Sequence, residues 1–223
     1  MPFGNLDYKI ILKSANEKGL PDRTLAVFLQ TNLGAIECRL HPAPKSMNGV
    51  IWVGGAGGGL DGPAAGMYPR LAAILVEDQI TSLRLAYRHP NHMTACILDV
   101  LLGITYLVQK DITRIALVGH SFGGAVVITA ALYSHEVVGV CTLSSQTAGT
   151  DHVDKLNPRS ILLMHGTADS VLPDLCSRDI YRRAREPKQL LLYPGCGHGY
   201  DECKGEADKD LLHWLRNLLL GTD

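Results

Sequence analysis

The sequence is poor in the features that would direct it to nucleic acid, metal or membrane. It has no block of like charge: 21 Lys and Arg stand against 22 Asp and Glu, for a net charge of -1. A basic footprint for a nucleic-acid backbone is therefore missing. None of the six cysteines (Cys38, Cys96, Cys141, Cys176, Cys196 and Cys203) forms a C-x-x-C pair, which removes the common zinc and redox frameworks. The start, M-P-F-G-N-L-D-Y-K, lacks a basic segment followed by an apolar one. The expectation is no secretion signal, a cytoplasmic location and free thiols in a reducing compartment. Repeats, low-complexity tracts and linkers are absent too. A chain of 223 residues, 46% of them hydrophobic, suits one domain over 1–223 at roughly 100–200 residues per domain.

One long uncharged run invites a membrane reading. Ile115 to His135 contains no Lys, Arg, Asp or Glu and is long enough to span a bilayer. Its centre, however, is H-S-F-G-G. A buried strand, a sharp turn and a buried helix account for that pattern where a spanning helix does not.

What is present is strand and helix in alternation. Two β-rich runs within Thr24 to His41, T-L-A-V-F-L-Q-T and G-A-I-E-C-R-L-H, flank N-L and predict an antiparallel hairpin. Short apolar runs at 50–53, 82–87, 114–118, 137–143, 161–165 and 189–193 then interleave with helix-length segments near 66–77, 93–109, 122–134, 174–184 and 206–220. Strands apolar on every residue are covered on both faces, and the alternation implies parallel crossovers. The expected fold is α/β: a doubly wound, mostly parallel sheet with an antiparallel N-terminal hairpin. Between Ser144 and Ile161 lies only a short polar connection, so no cap domain is expected.

Between the strand at 114–118 and the next helix lies G-H-S-F-G-G, residues 119–124, a G-x-S-x-G pattern. A strand-to-helix turn this tight strains the serine, and the flanking glycines remove the side chains that would collide with it. Ser121 is the candidate nucleophile. A serine hydroxyl needs a base that a third group orients. L-M-H-G-T-A-D-S-V-L-P places Asp169 just past a buried strand, at the edge where open α/β sheets bind ligands. Y-P-G-C-G-H-G-Y places His198 in a glycine-flanked loop after the last strand. Asp151, Asp154 and Asp174 are rival acids, and His89, His92, His120 and His165 rival bases. His120, inside the elbow, and His165, before a turn glycine, read as structural, and His213 falls on the terminal amphipathic helix.

With these motifs in the order Ser, Asp, His, the chain resembles the α/β-hydrolases, and among them the compact, capless dienelactone-hydrolase-like group, over roughly Val50 to the C-terminus. The resemblance implies Ser121 as nucleophile, His198 as general base and then acid, and Asp169 as the orienting acid. Dienelactone hydrolases proper use a cysteine nucleophile. The serine here points to ester hydrolysis without implying a dienelactone.

Acyl transfer also needs donors for the tetrahedral oxyanion. One is expected at the N–H of Phe122, the residue after the nucleophile. The other is expected in G-G-A-G-G-G-L-D-G-P, residues 54–63, where small residues admit close backbone approach. The family commonly opens this loop with His-Gly, and here Gly54 and Gly55 stand in that place, which points to Ala56 as donor with Gly57 next in line. The same glycines lack the lysine of a P-loop, and G-x-G-x-x-G fails at Leu60, so no nucleotide is expected. Cys196 and Cys203 flank His198, and a metal there would occupy the base, so they read as small thiols. Tyr68 and Tyr200 are candidates for the pocket wall or for packing.

The functional expectation is a serine hydrolase acting on a carboxylic ester of a small molecule, without cofactor or metal. No nucleic-acid or membrane partner is expected, and a homodimer is compatible with the exposed sheet edges. Thioester or amide hydrolysis uses the same groups, and a non-hydrolytic ligand-binding protein on the same scaffold is the alternative from another class.

Overall fold

A computed structural model describes residues 10–221. In chain order the elements are β1 (Leu12–Gly19), β2 (Leu25–Thr31), β3 (Gly34–His41), β4 (Asn48–Val53), α1 (Pro63–Glu77), β5 (Thr81–Ala86), α2 (Met93–Val108), β6 (Arg114–His120) and α3 (Phe122–Ala131). They continue with β7 (Val137–Leu143), a 3-10 turn (Val153–Leu156), β8 (Ser160–Gly166), α4 (Leu175–Arg183), β9 (Lys188–Tyr193) and α5 (Lys204–Leu220). The strands form a single sheet in the order β1-β2-β3-β5-β4-β6-β7-β8-β9. β1, β2 and β3 pair antiparallel, β3 runs antiparallel to β5, and the remaining pairs are parallel.

The uninterrupted apolar runs are explained by two cores, one on each face of the sheet. Ile51, Val53, Leu83, Leu85, Ile115 and Leu117 point to the face covered by α2, α3 and α4. Their strand neighbours Val50, Trp52, Ala116 and Val118 point to the face covered by α1 and α5. Each fully buried aliphatic side chain contributes about 1.5–3 kcal/mol. α3 is buried nearly all round, and among the described residues no helix is long and apolar enough to cross a membrane.

The expected hairpin is β2 and β3, turning at Asn32 and Leu33 between the paired Thr31 and Gly34. β1 extends it to three antiparallel strands, which the sequence did not announce. Its residues L-K-S-A-N-E-K-G are mostly exposed, so an edge strand without a covered face carries no alternating apolar signal. α1 differs at its start: Ala64 (φ 52), Ala65 (φ 49) and Gly66 (φ 83) form a left-handed turn, and the regular helix follows, close to the expected position 66. Between β7 and β8 the chain makes only the short 3-10 turn, so no lid is inserted there.

Candidate active site

The carboxyl ends of β6 and β8 and the loop after β9 assemble the candidate residues. Ser121 sits between β6 and α3 with φ 56 and ψ -121, a strained conformation for a non-glycine residue. Its N–H donates to the Leu143 carbonyl at 2.8 Å. The glycines beside it are sterically required: a Cβ on Gly119 would overlap the Gly123 carbonyl oxygen, and one on Gly124 would meet Ser145.

Asp169 follows β8, with its side chain out of contact with solvent. Its Oδ1 accepts the N–H groups of Val171 and Leu172, both at 2.8 Å, and its Oδ2 lies 2.7 Å from His198 Nδ1. Burial alone would raise this carboxyl, but the hydrogen bonds from Leu172, His198 and Val171 outweigh it and hold the group below the ordinary carboxylate range. His198 therefore carries its proton on Nδ1, and its Nε2 lone pair is free to accept another. Neither His198 Nε2 nor Ser121 Oγ makes a hydrogen bond among the described residues. The candidate acid and base are joined, and the candidate nucleophile is not bonded to them. Such contacts often tighten only with substrate in place.

The rival residues lie in other surroundings. Asp174 pairs with Arg178 at 2.9 Å, Asp154 belongs to the 3-10 turn, and Asp151 is exposed. His165 is fully buried behind Asp169. Its Nε2 lies 3.0 Å from the Leu172 carbonyl and 3.2 Å from Asp169 Oδ2, and its Nδ1 lies 2.7 Å from Ser177 Oγ. The carbonyl fixes the proton on Nε2, so the Ser177 hydroxyl donates to Nδ1. His120 Nε2 donates to the His198 carbonyl at 3.0 Å, and the two rings lie 4.7 Å apart by their centroids. Burial pushes His120 down to about 4, so it stays neutral beside His198.

The glycine loop runs over Ser121. A Cβ on Gly55 would come 3.2 Å from Ser121 Cβ, and the loop reverses through Gly58 N–H to Gly55 O at 2.9 Å. Ala56 is the exposed next residue, and Phe122 opens α3 with an N–H that has no partner within the helix. Tyr68 and Tyr200 are fully buried rather than wall residues. Tyr68 donates through its hydroxyl to Val53 O at 2.9 Å and through its N–H to Asp61 O at 3.1 Å, clasping both ends of the glycine loop. Tyr200 donates to Met164 O at 2.7 Å and accepts from Ser144 N–H at 3.1 Å, bracing β8 against β7. An open cavity of about 290 Å³ lies alongside, lined by Gly55, Pro63, Ala65, His120, Gly199 and Asp201 among others.

The expectation of free thiols fails at two positions. Cys196 and Cys203 form a disulfide around the His198 loop, because that loop folds their Cα atoms to 5.7 Å apart, within bonding range. Cys38, Cys96, Cys141 and Cys176 are free. A separation of seven residues contains no C-x-x-C signal, so the pairing was not readable from spacing. The bracing roles of Tyr68, Tyr200 and Ser177 were likewise missed. Only His165, four residues before Asp169, carried a local cue.

No family model matches the chain. YfhR of Escherichia coli, an uncharacterised protein, is 29% identical over 38% of this chain. YfhR of Salmonella typhimurium is 36% identical over 25% of it. These matches span only 38% and 19% of the relatives' own lengths. Solved structures agree over far more of the chain. Est1E from Butyrivibrio proteoclasticus superposes with a TM-score of 0.77 at 17% identity, covering 87% of this chain and 99% of that one. A dienelactone hydrolase from Anabaena variabilis gives 0.76 at 14%, covering 92% and 99%. XC6422 from Xanthomonas campestris, described as an α/β serine hydrolase without a lid, gives 0.72 at 19%, covering 92% and 100%. The chain has the compact, lidless α/β-hydrolase fold.

Proposed function

We propose that the chain is a serine hydrolase that cleaves a carboxylic ester of a small substrate through an acyl-enzyme on Ser121. The observation that carries this reading is the 2.7 Å contact between Asp169 Oδ2 and His198 Nδ1 at the same sheet edge as a strained elbow serine. The carboxylate holds the imidazole in the tautomer whose Nε2 takes the Ser121 proton as Oγ attacks the ester carbonyl. The oxyanion that forms would be met by the Phe122 N–H and by an N–H of the glycine loop, with Ala56 the expected donor. His198 then gives its proton to the leaving alcohol, and a water deprotonated by His198 releases the acid and regenerates Ser121. The hydrolase names of the structural neighbours support the reading.

A ligand-binding protein without turnover is the second reading, and the specific observation in its favour is the missing Ser121–His198 hydrogen bond. Steady-state turnover separates the two, and intact-mass spectrometry after fluorophosphonate treatment, with Ser121→Ala as control, reports whether Ser121 is activated. One adduct on the parent and none on the variant is expected, followed by steady turnover of short-chain p-nitrophenyl esters. Methyl ferulate belongs in the substrate panel because one solved structure of Est1E holds ferulic acid. A folded parent without adduct would overturn the hydrolase reading. Thioester and amide substrates in the same panel decide the bond preferred.

A further inference from the structure

The loop over the candidate nucleophile has few side chains of its own, and its internal support is the bond from Gly58 N–H to Gly55 O. Residues 54–59 are glycine except for Ala56, and glycine has the greatest backbone freedom of any residue. Gly58 (φ 70) and Gly59 (φ 88) occupy conformations that other residues rarely adopt. An oxyanion donor in such a segment is placed only as well as the segment's two ends are placed. One end continues from the central strand β4. The other end, at Leu60 and Asp61, meets Arg84.

Arg84 lies within β5, on the sheet face that it shares with Ser82 and, from β3, with Arg39 and His41, and its own side chain is 8% exposed. Its Nη1 donates to the Leu60 carbonyl at 3.3 Å and to Asp61 Oδ1 at 2.9 Å. Its Nε donates to His41 Nε2 at 3.1 Å. Because that bond needs a lone pair, His41 is neutral, and burial together with the adjacent guanidinium pushes it down to about 4. Taking a guanidinium out of water costs several kcal/mol unless its donors are satisfied. Every hydrogen bond recorded for the Arg84 side chain goes to the far end of the glycine loop or to the histidine behind it.

We propose that Arg84, backed by His41, is a positioning residue for the oxyanion side of the site: it pins the 54–62 loop at Leu60 and Asp61 and so holds the loop donor at the nucleophile. This rests on the serine-hydrolase reading. The element pairing supports it. Tyr68 clasps Asp61 O from α1, Arg84 holds the side chain of the same residue and the preceding carbonyl from β5, and His41 reaches Arg84 from β3, the strand paired with β5. Two elements thus hold these two residues, and a third backs one of the two holders.

The test compares Arg84→Met, His41→Leu and His41→Gln with the parent. The glutamine amide oxygen still accepts from Arg84 Nε, and the leucine does not. Three readouts are taken: steady-state hydrolysis of p-nitrophenyl acetate, inhibition by an aryl trifluoromethyl ketone that adds to Ser121 as a tetrahedral oxyanion, and hydrogen exchange of the 54–62 amides. Loss of one oxyanion donor costs about 10²–10³ in kcat. A loosened donor in Arg84→Met and His41→Leu is expected to lower kcat about tenfold or more, with KM within about twofold and ketone affinity falling in parallel. His41→Gln should stay within about twofold of the parent. Amide exchange in the loop should rise in the first two variants only.

Unchanged loop exchange in Arg84→Met would overturn the anchor. Faster exchange with kcat and ketone affinity unchanged would overturn its role in positioning the donor. If Arg84→Met does not fold, the His41→Leu and His41→Gln pair decides in the same way. A parent that neither turns over ester nor binds the ketone overturns the hydrolase reading instead, while the exchange data still report on the anchor by itself.

Discussion

Replacing Asp169 with asparagine changes one oxygen to an NH2 group, and the surrounding hydrogen bonds dictate where that NH2 must go. Two backbone N–H groups, from Val171 and Leu172, point at Oδ1 at 2.8 Å. Turning the NH2 toward them would set one donor group against two others. The amide oxygen therefore stays on that side, and the NH2 takes the place of Oδ2, 2.7 Å from His198 Nδ1. His198 can accept it only by moving its proton to Nε2, and that tautomer cannot take a proton from Ser121. The same exchange in a Ser-His-Asp triad lowers kcat about 10⁴-fold, equivalent to about 5 kcal/mol of transition-state stabilisation. Steady-state ester hydrolysis and the rate of fluorophosphonate labelling should both fall, with the circular dichroism spectrum unchanged. A kcat within tenfold of the parent would refute the reasoning, most directly if Asp154→Asn were the inactive variant.

Three further outcomes follow from other parts of the structure. Gly119→Ala should prevent assembly of the elbow, because its Cβ overlaps the Gly123 carbonyl; Gly55→Ala, with 3.2 Å to Ser121 Cβ, should fold and lose turnover, and expression with thermal melting distinguishes the two. His41 and His120 are both lowered from 6.5 to about 4, so as the pH falls through 6.5 the unfolded chain takes up protons before the folded one does. Stability should then drop by up to about 1.4 kcal/mol per pH unit for each histidine until the folded values are reached. Asp169, held below its usual value, adds stability that is complete above that value and is lost only at still lower pH; urea unfolding at pH 7, 6 and 5 measures the histidine part, and a flat profile contradicts it. Thiol titration of the denatured, unreduced protein should count four free cysteines, in keeping with the Cys196–Cys203 bond. Cys203→Ser should lower stability by about 2–3 kcal/mol for so short a loop, whereas a count of six thiols would exclude the bond.

Much of the architecture was legible because it rests on local rules. A run such as R-I-A-L-V signals a strand covered on both faces by its composition alone, and G-H-S-F-G-G signals the strand-to-helix elbow because only glycine fits the positions around Ser121. β1 was not legible, since an edge strand exposed on most of its residues needs no apolar alternation and is recognised only by its pairing with β2. The left-handed turn at Ala64 and Ala65 was hidden for a related reason: alanine advertises helix, and the turn is held from outside by Arg70, which reaches both carbonyls, and by the bond from Ala64 N–H to Gly199 O.

At the candidate site the division is sharper. Motif order and position beside strand ends put Ser121, Asp169 and His198 at one edge of the sheet, because a parallel α/β chain brings all its strand carboxyl ends to the same side. Contacts between residues far apart in sequence were decided by the tertiary structure. The 2.7 Å approach of Asp169 to His198, the disulfide around His198, the clasp of Tyr68 on both ends of the glycine loop and the reach of Arg84 from β5 to Leu60 all join segments whose spacing carries no shared pattern. Sequence specifies the elements and their order through propensity and burial, which act over a few residues; the distances on which chemistry depends arise only when those elements pack.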